Sequence, residues 1–121
     1  MEKIIISIDP GYERLGLCIL KKDLVTKKIN ILYSECFKTL KEFDFQDRLL
    51  SIGNHLEKII QTYKPEDIAL ESLFMGTNQK TAFKVSEVKG VLIYICKKNN
   101  MKVFEYTPLQ IKSAITGVRK K

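Results

Sequence analysis

The sequence predicts an α/β domain built on a five-stranded mixed sheet with helices on both faces. Five short runs are rich in β-branched and other apolar residues, which is typical of strands. Two longer segments repeat apolar residues at steps of three or four, which is typical of helices that pack on one side. The predicted order is three strands, a helix, a strand, a helix and a strand.

Length and composition restrict the class of protein. A chain of 121 residues with 45% apolar and 29% charged residues predicts one folded domain, residues 1–121. No apolar run approaches the roughly 20 residues needed to cross a bilayer, and the first residues do not resemble a signal peptide, so we expect a cytoplasmic protein. The net charge of +7 favours a polyanionic partner.

The first two strands form a predicted hairpin around an acid. Residues 4–8 are nearly all β-branched, as in a strand covered on both faces, and the run ends on Asp9. Pro10 and Gly11 give a turn signal, and residues 16–20 return as the second strand. Because Asp-Pro-Gly is also ordinary turn chemistry, Asp9 taken alone is a turn residue as readily as a functional one.

A third strand is predicted within residues 27–37, and an amphipathic helix follows from Phe45 to Tyr63, where Pro65 ends it. His55, the only histidine, lies beside the apolar stripe of this helix. No second histidine or cysteine stands at ligand spacing, so we interpret His55 as a flanking surface residue.

Three cysteines, Cys18, Cys36 and Cys96, are far apart in the sequence and lie in apolar contexts. Neither a metal-binding spacing nor a disulfide framework fits them. We therefore expect reduced thiols in the core.

A short apolar strand at residues 68–70 ends on a second acid, Glu71. If this strand lies parallel and next to the first one, the carboxylates of Asp9 and Glu71 lie within a few ångströms of each other. Two like charges so placed repel strongly unless a cation lies between them. The sequence therefore predicts a metal site at Asp9 and Glu71.

Asn78 is predicted to cap a second helix that runs to about Lys98, and the Asn-Asn pair that follows offers a stop. The apolar residues of this helix fall on two stripes, and only one stripe can cover the sheet. We predict that the other packs in a homodimer, with a helix sandwiched within the monomer as the alternative. The predicted interface residues are Phe83, Gly90, Val91 and Tyr94.

The last part of the chain completes the pattern. Residues 102–106 form a fifth predicted strand, Pro108 opens a further helix, and the sequence ends in a basic run. This order of elements, with acids at the ends of the first and fourth strands, is that of the RNase H-like fold.

Four motifs resemble the RuvC family of bacterial Holliday junction resolvases, and they occur colinearly over essentially the whole chain. They are IDPGYERLG (8–16), ESLFMGTN (71–78), KGV (89–91) and VFEYTPLQIK (103–112). The resemblance implies a crossover junction endodeoxyribonuclease that makes paired nicks in four-way DNA junctions by phosphodiester hydrolysis during recombination and repair. It also implies the branch-migration proteins RuvA and RuvB as partners.

The resemblance assigns roles to individual residues. Asp9 and Glu71 match the first two of the family's four catalytic acids, which hold Mg²⁺, and Mn²⁺ should substitute. Phe74 matches an aromatic residue that stacks on bases at the junction, and Lys112 matches a basic residue near the cleaved strand. The predicted DNA-binding residues are Phe74, Asn78, Lys112, Arg119, Lys120 and Lys121.

The chain departs from the family pattern in one respect. The family continues for several tens of residues beyond the position of Lys121, through a helix that carries the third and fourth acids. We therefore expect an RNase H-like domain whose C-terminal helices are missing or truncated, and which by itself binds Mg²⁺ weakly and cuts junctions little or not at all. The alternative is a RuvC-like module that binds branched DNA without cutting it.

Overall fold

The computed structural model describes residues 1–71 and 78–106. The elements follow the predicted order: β1 (Glu2–Asp9), β2 (Arg14–Asp23), β3 (Ile29–Lys38), α1 (Phe45–Tyr63), β4 (Asp67–Glu71), α2 (Gln79–Lys98) and β5 (Lys102–Tyr106). The predicted helix at Pro108 lies outside the described residues. Neither described helix is long and apolar enough to span a membrane.

The strands form one sheet in the order β3-β2-β1-β4-β5. The pairs β1–β2 and β2–β3 are antiparallel because short turns connect them. The pairs β1–β4 and β4–β5 are parallel because α1 and α2 carry the chain back across the sheet. The predicted five-stranded mixed sheet is therefore confirmed.

One face of the sheet carries the hydrophobic core. Alternate residues of the central strands point to this face, and both helices pack on it through their apolar stripes. The side chains that are less than 2% exposed include Ile6, Ile19, Ile52, Leu56, Ile68, Leu70, Val88 and Leu92. Burial of this set is the main source of the domain's stability, at about 1.5 to 3 kcal/mol for each large apolar side chain.

The second face is open in the described part of the chain. Ile31 and Phe104 are 67% and 42% exposed, and the strand register places both opposite the core face. The fold class is confirmed, but within residues 1–71 and 78–106 the helices occupy one face only.

Capping groups set the limits of both helices. Asp44 accepts a hydrogen bond from the Asp47 N–H at 2.8 Å at the start of α1, and Asn78 accepts one from the Thr81 N–H at 3.2 Å at the start of α2. Lys64 ends α1 in a left-handed conformation with φ 50°, directly before Pro65. The predicted helix boundaries are confirmed.

The surface position expected for His55 is wrong. The imidazole stacks on Phe37 with ring centroids 4.0 Å apart, and Nε2 contacts the Glu35 carboxylate. The side chain is only 18% exposed. Side chains of β3 cover the flank of α1 on which His55 lies. The periodicity of the helix alone does not reveal this contact.

The cysteine prediction holds in part. The three thiols are free, but only Cys96 is buried, Cys18 is half-buried and Cys36 is exposed. Burial raises the pKa of the Cys96 thiol to about 12. Cys36 is exposed because it lies on the edge strand β3 and points to the open face.

We predict that Gly11→Ala destabilises the domain by about 1 to 3 kcal/mol. A Cβ at Gly11 would lie 2.2 Å from the Arg14 carbonyl oxygen, so the turn between β1 and β2 must shift to admit it. Thermal and urea unfolding measure the change. Gly16→Ala is the matched control, since its Cβ would meet only the Asp9 Cβ, at 3.4 Å. Equal stability of the Gly11 variant and the parent would contradict the prediction.

Candidate metal centre

The two predicted acids lie at the same end of neighbouring strands. The last paired residues of β1 and β4 are Ile8 and Leu70, so Asp9 and Glu71 occupy the next position on each strand. Because the strands are parallel, both side chains leave the sheet at its carboxyl edge and on the same face. The structure therefore confirms that the sheet brings the two acids together.

The carboxylates of Asp9 and Glu71 interact directly. Partial burial, the negative charge of Asp9 and a hydrogen bond with Asp9 raise the pKa of the Glu71 carboxyl group, in that order of importance. A protonated Glu71 can donate this hydrogen bond, whereas two ionised groups repel. The pair therefore has an energetic reason to take up a proton or a cation.

The donor set fits a divalent cation with a preference for oxygen ligands. Two carboxylates offer hard oxygen atoms, and the part of the chain that the structure describes adds no nitrogen or sulfur ligand to them. Among residues 1–71 and 78–106, no group of three or more histidine, cysteine, aspartate or glutamate side chains could hold a metal ion. Asp9 and Glu71 are therefore a pair of candidate ligands, and not a complete coordination sphere, within this part of the chain.

The pair sits on an open part of the surface. Asp9 is exposed and Glu71 is half-buried. Two clefts of about 580 and 630 Å³ lie elsewhere, one between the ends of α1, β4 and α2 and one between β3 and α1. Neither of these two clefts is lined by Asp9 or Glu71.

The turn that follows Asp9 has neighbours that sequence reasoning missed. Tyr12 contacts Phe45 edge to face, with ring centroids 5.8 Å apart. Lys84 of α2 places its Nζ atom 5.1 Å from the Tyr12 ring centroid. Tyr12 lies within the motif IDPGYERLG, but nothing in the sequence connects it to Phe45 or Lys84, because the three residues belong to different elements.

Only one predicted DNA-binding residue lies in the described structure. Asn78 is exposed and uses its side-chain oxygen to cap α2. The others, Phe74, Lys112, Arg119, Lys120 and Lys121, lie outside the described residues.

Three of the four predicted interface residues form an exposed row on α2. Phe83 and Tyr94 are 63% and 67% exposed, and a Cβ added at Gly90 would meet no atom within 4 Å. Val91 differs: its Cγ1 would lie 3.3 Å from a Cβ at Gly53 of α1, so it packs within the chain. Val91 is half-buried against α1, and its place in the interface stays a prediction.

Two further motif residues have a structural role. Lys89 of α2 forms an ion pair with Glu105 of β5. The pair joins the helix to the edge strand, which accounts for both residues without a catalytic assignment.

Comparison with known proteins gives the family. The family model described as "Crossover junction endodeoxyribonuclease RuvC" matches residues 5–121. A protein of that name from Petrotoga mobilis is 40% identical over 114 residues, which are 94% of this chain and 69% of the relative. A protein of the same name from Ruminiclostridium cellulolyticum is 38% identical over 114 residues, 94% of this chain and 68% of the relative.

Solved structures agree with this result. The structure of T. thermophilus RuvC in complex with Holliday junction substrate has a TM-score of 0.85 and 25% identity to this chain. The match covers 93% of this chain and 71% of the T. thermophilus chain. With the strand order, the paired acids and the four motifs, these matches establish that the chain belongs to the RuvC family of crossover junction endodeoxyribonucleases.

Proposed function

We propose that this chain acts on four-way DNA junctions as a Holliday junction resolvase, and that Asp9 and Glu71 bind Mg²⁺ at the phosphodiester bond to be cut. The observation that carries the proposal is the placement of two carboxylates at matching ends of the parallel strands β1 and β4, where the charge of Asp9 helps to raise the pKa of Glu71. The T. thermophilus relative was solved with a Holliday junction substrate, which supports the same class of substrate here.

The chemistry at the pair follows from its charge. Bound Mg²⁺ supplies a Lewis acid that activates water and stabilises the leaving oxygen. Asp9 and Glu71 would hold such an ion, and their mutual repulsion would be offset by its positive charge. Because both carboxylates are ligands for the same cation, loss of either one should weaken binding of the metal more than binding of DNA.

The exposed row on α2 supports a homodimer. Phe83 and Tyr94 present large aromatic side chains to solvent, and Gly90 between them leaves room for a neighbouring helix. A two-fold dimer carries two identical pairs of acids, which suits paired nicks in a junction of two-fold character.

Partners and location complete the proposal. The family resemblance supports association with the branch-migration proteins RuvA and RuvB. A cytoplasmic location is proposed because that is where such a complex meets DNA. The net charge of +7 supports binding to a phosphate backbone.

A second candidate function is junction binding without cleavage. It is favoured by one observation: the described residues bring together two acids, not four. Metal-dependent cleavage separates the two candidates, because a binding module holds a junction equally well with and without Mg²⁺ and leaves its strands intact.

We predict that Asp9→Asn strongly reduces junction cleavage. Loss of an outer residue at a metal site typically costs about 10- to 100-fold in activity, and loss of a ligand should cost more. Junction binding should persist because the change removes no positive charge. Gel assays of a labelled four-way junction in Mg²⁺, with protein from the complete reading frame, measure both properties. Glu2→Gln, at the other end of β1, is the matched control and should cut like the parent. Undiminished cleavage by Asp9→Asn would contradict the proposed site.

We predict that Glu71→Gln is more stable than the parent near neutral pH in metal-free buffer, by less than about 1 kcal/mol because the site is largely exposed. The folded-state pKa of Glu71 is raised. The contribution of Glu71 to the stability of the folded state is therefore complete below the unfolded glutamate pKa of about 4.3. It is lost as the pH rises through the folded-state pKa, because the carboxyl group then ionises.

Thermal unfolding across this pH range should show the advantage of the variant vanish near pH 4, about the unfolded glutamate pKa. Addition of Mg²⁺ should stabilise the parent more than the variant. Glu42→Gln, an exposed change in the loop before α1, is the control. A gain that is the same at both ends of the pH range would show that the carboxylate pair is not its cause.

We predict that Tyr94→Glu weakens self-association by more than tenfold in Kd, since loss of an aromatic anchor at an interface costs about 2 kcal/mol or more. Sedimentation over a range of protein concentrations measures the effect. Gln61→Glu adds the same charge to an exposed site on α1 and should leave the dimer intact. Equal self-association of both variants would exclude this face of α2 as the interface.

A further inference from the structure

A buried polar contact holds the turn that follows Asp9. Thr39 Oγ1 donates a hydrogen bond to the Tyr12 carbonyl oxygen at 2.7 Å, and the Thr39 N–H donates to the Glu13 carbonyl oxygen at 3.1 Å. Arg48 Nη1 donates to Thr39 Oγ1 at 2.6 Å. We call this set of residues, Tyr12, Glu13, Thr39 and Arg48, the turn anchor.

The turn anchor connects three parts of the fold. Thr39 directly follows β3, Arg48 lies in the first turns of α1, and Tyr12 and Glu13 belong to the β1–β2 turn. Thr39 is only 9% exposed, so its hydroxyl group has little access to water and depends on these partners. The Thr39 hydroxyl group donates a hydrogen bond to the turn and accepts one from Arg48 of α1. It therefore acts as both a donor and an acceptor.

Aromatic contacts restrict the same turn from other directions. The Tyr12 ring packs against Phe45 of α1, and Lys84 Nζ lies 5.1 Å from the Tyr12 centroid and 5.7 Å from the Phe45 centroid. The turn itself is short and tight: Pro10 has a fixed φ, and the Arg14 carbonyl oxygen would lie 2.2 Å from a Cβ at Gly11. A shift of Tyr12 or Glu13 would therefore also move Asp9, because only two residues separate Tyr12 from Asp9.

Such stiffness matters at a metal site because affinity depends on the placement of each ligand. Outer residues that orient a ligand typically change metal affinity or activity by about 10- to 100-fold when they are replaced. Asp9 is exposed and has no hydrogen bond to its side chain among the described residues except the one with Glu71. Its position is consequently set by its backbone.

We propose that Thr39 and Arg48 are positioning residues of the metal site: by holding the turn at Tyr12 and Glu13, they fix the backbone that places the Asp9 carboxylate beside Glu71. This role rests on the proposed function of Asp9 and Glu71. It assigns a purpose to a buried hydroxyl group that is separated from Asp9 by two strands, β2 and β3.

The test is the affinity of the 121-residue chain for Mn²⁺ alone, followed by the paramagnetic resonance signal of the free ion. Thr39→Val removes the hydroxyl group at nearly constant volume and should weaken Mn²⁺ binding about tenfold. Thr39→Ser keeps the hydroxyl group and should retain the parent affinity. Arg48→Met removes the second donor and should weaken binding in the same direction.

A control separates positioning from stability. Ile52→Val lowers the stability of α1 in the core without touching the turn anchor. Measured well below the unfolding temperature of every variant, Ile52→Val should bind Mn²⁺ like the parent. If Thr39→Val binds like the parent, or if Thr39→Ser loses as much affinity as Thr39→Val, the positioning role is overturned.

Asp9→Asn distinguishes failure of this inference from failure of the proposed function. Loss of Mn²⁺ affinity in Asp9→Asn with no loss in Thr39→Val leaves the metal site standing and rejects the role of the turn anchor. Unchanged affinity in Asp9→Asn rejects the metal site itself and, with it, any positioning role for Thr39 and Arg48.

Discussion

The parallel pairing of β1 with β4 is the constraint on which the rest of this structure depends. It places two carboxylates side by side at one edge of the sheet, where they repel each other until a proton or a cation intervenes. The fold remains stable despite this repulsion because the buried core on the opposite face is large. The hydrophobic core lies on one face of the sheet, and the candidate metal site lies at its carboxyl edge.

Each element beside the acids also holds them in place. The helix α1 makes β4 parallel to β1 and contributes Phe45 and Arg48 to the turn that follows Asp9. The helix α2 begins a few residues after Glu71 and contributes Lys84 to the same turn. Both helices of the described structure therefore contact the turn that follows Asp9.

Predictions from local pattern succeeded where one element decides the outcome. The end of α1 follows from Pro65 and the start of α2 from Asn78, whose turn and capping chemistry act within a few residues. Predictions failed where a neighbouring element decides. His55 is covered by Phe37 and Glu35 of β3, and Cys36 is exposed because β3 is an edge strand.

The sequence by itself determined the order of elements, the two acids at strand ends and the family resemblance, because each depends on residues that are close in the chain or on motifs that keep their spacing. Only the tertiary structure decided that Val91 packs on Gly53, that Lys84 lies over Tyr12, and that Thr39 and Arg48 hold the turn beside Asp9. These contacts join residues from different elements, and their geometry depends on how helices settle on the sheet, which no periodicity in a single segment encodes.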